Sequence, residues 1–245
     1  MIDSIAGEIG QQQYEILVVD DDSPDGTAGE VKRIAENYPS VRLIHRTEDR
    51  GLVQSIKTGI DHSTGDICIW MDADCSMPAS KILDMIAEVS RGADLVVGSR
   101  YIRGGAIKGS HGDGTKTSLR KLLANLSSTE DSIFAVLISK YGNYFARWLL
   151  ESRYYDYTSG FYAVKKQRVG ELIIEGKYLD YCIRLLYSAH LRGFVISEIP
   201  VRLVGRVRGE SKTCPNFYSL LPMIWVCLST VIGLRFRKKM QWFDV

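Results

Sequence analysis

The sequence contains no Cys-x-x-Cys pair. Its five cysteines, Cys68, Cys75, Cys182, Cys214 and Cys227, are odd in number and widely spaced. That argues against a disulfide framework or a structural zinc site and fits a reducing compartment. An excess of charge of one sign is also lacking. A net charge of +2 over 245 residues gives no electrostatic ground for a nucleic-acid partner. The first residues, Met-Ile-Asp-Ser, lack a basic-then-apolar leader, so no secretory signal is expected. The four histidines, His45, His62, His111 and His190, stand singly and read as ordinary surface or core residues. What remains is an ordinary globular composition, 45% hydrophobic and 24% charged. The length suits one α/β domain with a sizeable core.

Short apolar runs alternate with helical patterns through the first hundred residues. Strands are expected at 14–20, 41–45, 66–71 and 94–98. Helices are expected at 28–37, 52–61 and 79–90, the last with Ile82, Leu83, Ile86 and Val89 inward. Continuous apolar strands separated by helices imply a parallel sheet covered on both faces, with ligands at the carboxyl ends of the strands. A glycine-rich stretch at 104–114 precedes helical patterns at 117–126 and 133–150. The second of these is aromatic-rich and reads either as a core helix or as a helix lying on lipid. Strands resume at 160–164 and 194–201, with a helix at 179–191 between them. The run 217–234 carries no charge and is followed by Arg235, Arg237, Lys238 and Lys239. Three readings stay open for it: a helix packed on the domain, an interfacial anchor, or a membrane span.

Three clusters carry chemistry. Asp20-Asp21-Asp22-Ser23-Pro24-Asp25-Gly26-Thr27 follows the first strand directly. Three successive carboxylates need cations, donors or water. The plain alternative is a capped turn, with Asp25 serving the next helix. Asp72-Ala73-Asp74 follows the third strand, where two carboxylates one residue apart suit a hard divalent cation, Mg²⁺ or Mn²⁺, shared with substrate phosphates. The third cluster is basic: Arg100, just after Ser99, and the stretch 202–212 with Arg206 and Lys212. Arginine suits bidentate phosphate contact and lysine point-charge contact.

Five segments, in order, resemble the family 2 glycosyltransferases, and within them the dolichyl- and polyprenyl-phosphate sugar transferases. They are Val18-Val19-Asp20-Asp21-Asp22-Ser23-Pro24-Asp25-Gly26-Thr27, Met71-Asp72-Ala73-Asp74, Gly98-Ser99-Arg100-Tyr101, Thr158-Ser159-Gly160-Phe161 and Arg206-Val207-Arg208-Gly209-Glu210-Ser211-Lys212. The resemblance implies a GT-A type α/β fold over residues 1–212, with an acceptor-side insertion at 100–150 and a C-terminal apolar helix within 213–245. It implies inverting, metal-dependent transfer of a hexose from a GDP-mannose or UDP-glucose type donor to a polyprenyl phosphate at the cytoplasmic face of a membrane. Asp20, Asp21, Asp22, Asp72 and Ser99 would bind the nucleotide sugar. Asp72, Asp74 and Ser76 would hold the metal. Asp74, Arg100, Arg206 and Lys212 would be the catalytic set, the basic three on donor or acceptor phosphate.

The chain also departs from that pattern. The strand and Pro-x-Tyr-Asn-Glu-like loop that open the family have no match before Tyr14. Ser76 stands where a glutamine ligand is usual, and Arg184 where an acidic residue is usual. The stretch 104–150 is long, which leaves Arg120 and Arg147 as competing acceptor-phosphate candidates. Two other function classes therefore accompany the leading one: a transferase-like binding protein without turnover, and a family 2 transferase acting on a soluble or polysaccharide acceptor.

Overall fold

The computed structural model describes residues 1–10, 12–106, 133–203 and 217–236. The elements are α1 (Ile2–Ile9), β1 (Ile16–Asp20), α2 (Thr27–Ala35), β2 (Val41–His45), α3 (Leu52–His62), β3 (Ile67–Trp70) and α4 (Lys81–Ser90). They continue with β4 (Leu95–Ser99), α5 (Ile133–Leu149), β5 (Tyr162–Lys165), α6 (Asp180–Leu191), β6 (Ile196–Pro200) and α7 (Phe217–Phe236). A short 3₁₀ turn, Lys166–Glu171, follows β5. The helical pattern at 117–126 lies outside the described residues.

β4 is buried along its whole length, and its side chains alternate between two cores. Leu95 and Val97 join Tyr162 and Val164 against α5, α6 and α7. Val96 joins Phe161 and Ala163 against α1 and α4. In α4 the inward face is Ile82, Met85 and Val89, with Met85 fully buried and Leu83 only half-buried. The periodicity placed the stripe correctly but gave Leu83 the place that Met85 takes.

Two findings refine the expected, mostly parallel sheet. First, β5 runs antiparallel to both β3 and β4, while β4 and β6 are parallel. The reason is the route of the chain. It leaves β4 at Arg100 and comes back at the same end of that strand. The Arg100 N–H donates to Asp156 at 3.0 Å and the Gly98 N–H to the Phe161 carbonyl at 2.9 Å. A strand that begins where its neighbour stops must run the other way. Second, the strands form two sheets, a parallel β1-β2 pair and a four-stranded β3-β5-β4-β6 sheet. Among the described residues no strand lies between β1 and β3. The two sheets are joined by helices instead. Ile5 of α1 packs in the core beside α4, and Ile2 of the same helix packs with Val31 and Val41.

α7 docks on the domain through Leu220, Met223, Val231 and Leu234. Among the described residues no helix is long and apolar enough to cross a membrane.

Gly98 is where β4 admits its neighbours. A Cβ there would sit 2.9 Å from Phe161 Cδ1 and 3.1 Å from Val201 Cγ1. Gly98→Ala therefore overpacks the sheet just below the loop carrying Ser159 and Gly160. We expect a loss of about 1–3 kcal/mol, read by urea unfolding. An unchanged midpoint would mean that Phe161 has room to move.

Candidate functional site

The carboxyl ends of β1, β2 and β3 lead into three loops that hold every non-glycine residue of positive φ among the described residues: Asp22 (59°), Asp49 (48°) and Cys75 (61°). Aspartate tolerates this region better than most residues, and sparsely populated backbone conformations cluster at functional sites.

In the first loop each carboxylate has its own partners. Asp20, 4% exposed, accepts from the Ser23 N–H at 3.2 Å, and His45 Nε2 stands 3.8 Å away. Asp21 accepts from the Gly51 N–H at 2.7 Å and the Ser55 hydroxyl at 2.9 Å, with Arg46 3.4 Å from its other oxygen. Asp22 pairs with Arg50 at 2.5 Å and with His45 at 3.3 Å. The repulsion expected from three adjacent acids is thus met by cations of the β2–α3 loop. The Asp22–Arg50 pair is about half exposed on both sides, so it contributes about 0.2–1 kcal/mol and matters for position rather than stability. The turn reading also holds in part: Asp25 accepts from the Thr27 N–H and hydroxyl at 3.1 and 2.6 Å at the start of α2.

The loop after β3 bends at Cys75. Asp72 is exposed, and Asp74 Oδ1 accepts from the Ser76 N–H at 2.9 Å. Ser76 is buried, 5% exposed. Gly160 lies across from Asp72: a Cβ there would be 3.7 Å from both Asp72 oxygens. The β5 loop thus passes within van der Waals reach of this carboxylate. Two carboxylates one residue apart on this bend are hard oxygen donors of the kind Mg²⁺ or Mn²⁺ takes, although among the described residues no third acidic, histidine or cysteine side chain joins them.

The end of β4 departs from expectation. Arg100 is held by Asp156, through Nε at 2.8 Å and Nη2 at 2.7 Å, and Nη2 also donates to Thr158 at 2.8 Å. Burial disfavours the guanidinium charge, but the Asp156 carboxylate outweighs it and holds the Arg100 pKa above the ordinary value. Asp156 is fully buried. Where the sequence reading puts a phosphate on Arg100, the structure puts this carboxylate. Ser99, expected at the nucleotide, is wholly buried beside Glu198, because β4 is covered on both faces. Glu198 accepts the N–H groups of Tyr155 and Asp156 at 2.9 and 3.1 Å, and burial pushes its carboxyl pKa up. Asn143 of α5 completes the frame. It accepts from the Tyr157 N–H at 2.6 Å and donates to Thr158 at 2.9 Å. Arg147 stacks on Tyr155 at 3.7 Å and donates to the Ser152 carbonyl. Arg120, Arg206 and Lys212 lie outside the described residues.

A profile described as Glycosyl transferase family 2 matches residues 1–179. The chain belongs to this family. Curated relatives agree with it. A dolichol-phosphate mannosyltransferase of Pyrococcus furiosus is 31% identical over 202 residues, covering 81% of this chain and 50% of the relative. A polyprenol monophosphomannose synthase of Mycolicibacterium smegmatis is 30% identical over 207 residues, covering 82% and 70%. The chain thus spans half the length of the first relative. The GT-A-like fold appears in solved structures as well. The glucosyl-3-phosphoglycerate synthase of Mycobacterium tuberculosis, solved with Mn²⁺, UDP and phosphoglyceric acid, superposes with a TM-score of 0.63. It is 16% identical and covers 97% of this chain and 73% of that one. A mannosyltransferase from Pyrobaculum calidifontis, solved with GDP-Man and Mn²⁺, gives 0.51 at 17% identity, covering 95% and 68%.

Within this family 2 domain, sequence reasoning missed Asp156, Asn143 and Glu198. Asp156 had a signal, since it stands two residues before the matched Thr158-Ser159-Gly160-Phe161 segment. Asn143 and Glu198 had none, because each acts through backbone N–H groups that are remote in sequence.

Proposed function

We propose that the chain transfers a hexose from a nucleoside-diphosphate sugar to a polyprenyl phosphate, with inversion at the anomeric carbon. The observation that carries this reading is the Asp72–Asp74 bend at the end of β3, facing Gly160, in a family 2 domain. The names of the relatives support mannose as the sugar and a polyprenyl phosphate as the acceptor. Asp72 and Asp74 would hold Mg²⁺ or Mn²⁺, with Ser76 as a third oxygen. A bound divalent ion supplies neutralisation of charge on the departing diphosphate. Asp20, at the buried end of β1, would meet the nucleobase, with Asp21 and Asp22 shaping its loop. An acceptor phosphate oxygen attacks the anomeric carbon as the bond to the nucleoside diphosphate breaks. The acceptor is already anionic, so no general base is required and electrostatic stabilisation carries the step. Arg206 and Lys212 would contact phosphate. Arg100 becomes a positioning residue that fixes the loop carrying Ser159 and Gly160.

The same reading places the domain at a cytoplasmic membrane surface. α5 exposes Tyr141, Tyr144 and Trp148, and α7 exposes Leu221, Trp225, Ile232 and Phe236; Trp148 and Trp225 are 79% and 72% exposed. Aromatic side chains of this kind suit a membrane–water interface.

The test is calorimetric titration with GDP and with UDP, each with and without Mn²⁺, followed by transfer from the matching sugar nucleotide to a polyprenyl phosphate. Metal-dependent binding of one nucleotide and subsequent transfer are expected. Binding without transfer would favour a transferase-like domain without turnover. Binding of neither nucleotide would overturn the donor site.

A further inference from the structure

At the seam of α6 and α7 lies a recess of about 130 Å³ lined by Arg184, Ser229, Thr230, Gly233 and Leu234. Among the described residues Arg184 is its one charged lining residue. Its Nη2 donates to Thr230 Oγ1 at 3.1 Å, and its Nε lies 3.4 Å from Asp180 Oδ2. Asp180 is buried and already accepts the N–H groups of Lys177 and Tyr178 at 3.1 and 2.8 Å, so its charge is shared among several donors. Nη1 of Arg184 has no hydrogen-bond partner among the described residues, and the side chain is 26% exposed. Thr230 accepts from Arg184 and keeps its own hydroxyl proton to donate. Ser229 is exposed at the rim, its hydroxyl donating to the Val226 carbonyl at 2.9 Å. Gly233 leaves the mouth open: a Cβ there would meet nothing within 4 Å.

What surrounds the recess is apolar. Leu221, Trp225, Ile232 and Phe236 form one exposed stripe of α7 at helical spacing, and Ser229 interrupts it beside the recess. Neither α5 nor α7 carries an acidic residue, whereas Lys140, Arg147 and Arg235 are basic. A recess whose guanidinium Asp180 meets only through Nε, with a hydroxyl at its rim, beside an apolar stripe on a helix without acidic residues, is complementary to a group with an anionic head and an apolar body.

We propose that the Arg184–Thr230 recess holds the phosphate of an anionic bilayer phospholipid while the Trp225 stripe lies among its acyl chains. This rests on the membrane-surface reading above and adds its headgroup chemistry. The guanidinium supplies charge-assisted donors to the phosphate, Thr230 a hydroxyl donor, and the missing side chain of Gly233 the entry.

The test is flotation of the full chain with phosphatidylcholine vesicles and with vesicles that also contain phosphatidylglycerol. The wild type should prefer the anionic vesicles. Arg184→Gln should lower partition onto them by about fivefold or more, the worth of one basic residue at an anionic surface, and leave partition onto phosphatidylcholine unchanged. Gly233→Leu fills the recess without removing charge and should act the same way. Circular dichroism and Mn²⁺-dependent nucleotide titration, both unchanged, show that the variants fold. Wild-type preference in both variants overturns the headgroup site while leaving membrane association intact. Failure of the wild type to bind either vesicle overturns the membrane reading itself. Saturable binding of glycerol 3-phosphate without vesicles overturns the lipid source. A vesicle-free dimer that Trp225→Ser dissociates overturns the lipid occupant in favour of a second copy.

Discussion

Asp74→Asn abolishes Mn²⁺-dependent nucleotide binding and lowers sugar transfer by at least about 100-fold, while the protein unfolds at the same denaturant concentration as the wild type. The magnitude follows from chemistry. Mutating a residue that only orients a metal ligand typically costs 10–100-fold, and Asp74 is proposed as a ligand itself. The preserved stability follows from geometry. Asp74 Oδ1 accepts the Ser76 N–H at 2.9 Å, and an asparagine carbonyl accepts the same bond. The turn at Cys75 therefore keeps that tether while one negative charge disappears. Transfer at the wild-type rate by the variant would remove Asp74 from the metal site. The measurement pairs a radiolabelled-sugar transfer assay with the calorimetric titration, so that lost binding and lost chemistry are told apart.

Asp156→Asn destabilises the domain by about 3–5 kcal/mol, the usual cost of breaking a buried ion pair from one side. Asp156 is fully buried and receives the Arg100 N–H, two guanidinium donors and the Thr158 N–H at 3.2 Å. Arg100 is only 15% exposed, so its charge has little water to fall back on. Urea unfolding reads the loss. A double variant, Arg100→Met with Asp156→Asn, removes both charges and should cost less than the sum of the single variants by about 0.5–3 kcal/mol. Additivity in that cycle, or a single-variant cost below about 1 kcal/mol, would show that the pair does not organise the loop. The pair also bears on the site, because it anchors the chain that sets Ser159 on the Gly98 carbonyl and Gly160 across from Asp72.

The contrast between these two aspartates shows what a linear pattern conveys. The loop carrying Asp74 was legible because its signal is local: an apolar strand, then two acids one residue apart. Asp156 was not, because its partner Arg100 lies 56 residues away and the two meet only when β5 returns to the end of β4. Arg100 itself was singled out for its position after a strand. A residue after a strand faces either a ligand or the returning chain, and only the packing of that chain distinguishes them. Ser99 shows the same limit. Its place at a strand end marked it as accessible, yet coverage of β4 on both faces leaves it no exposure.

By itself the sequence determined the alternation of strands and helices in the first hundred residues, the stripes those helices bury, and the two acidic loops. These depend on local propensity, on period, and on where apolar runs stop. The tertiary structure decided the direction of β5, the division into two sheets, the pairing of Arg100 with Asp156, and the side of α7 that faces outward. Each of these is set by which distant segments come to share a core or a charge. That depends on the route of the chain through space, and no local spacing encodes it.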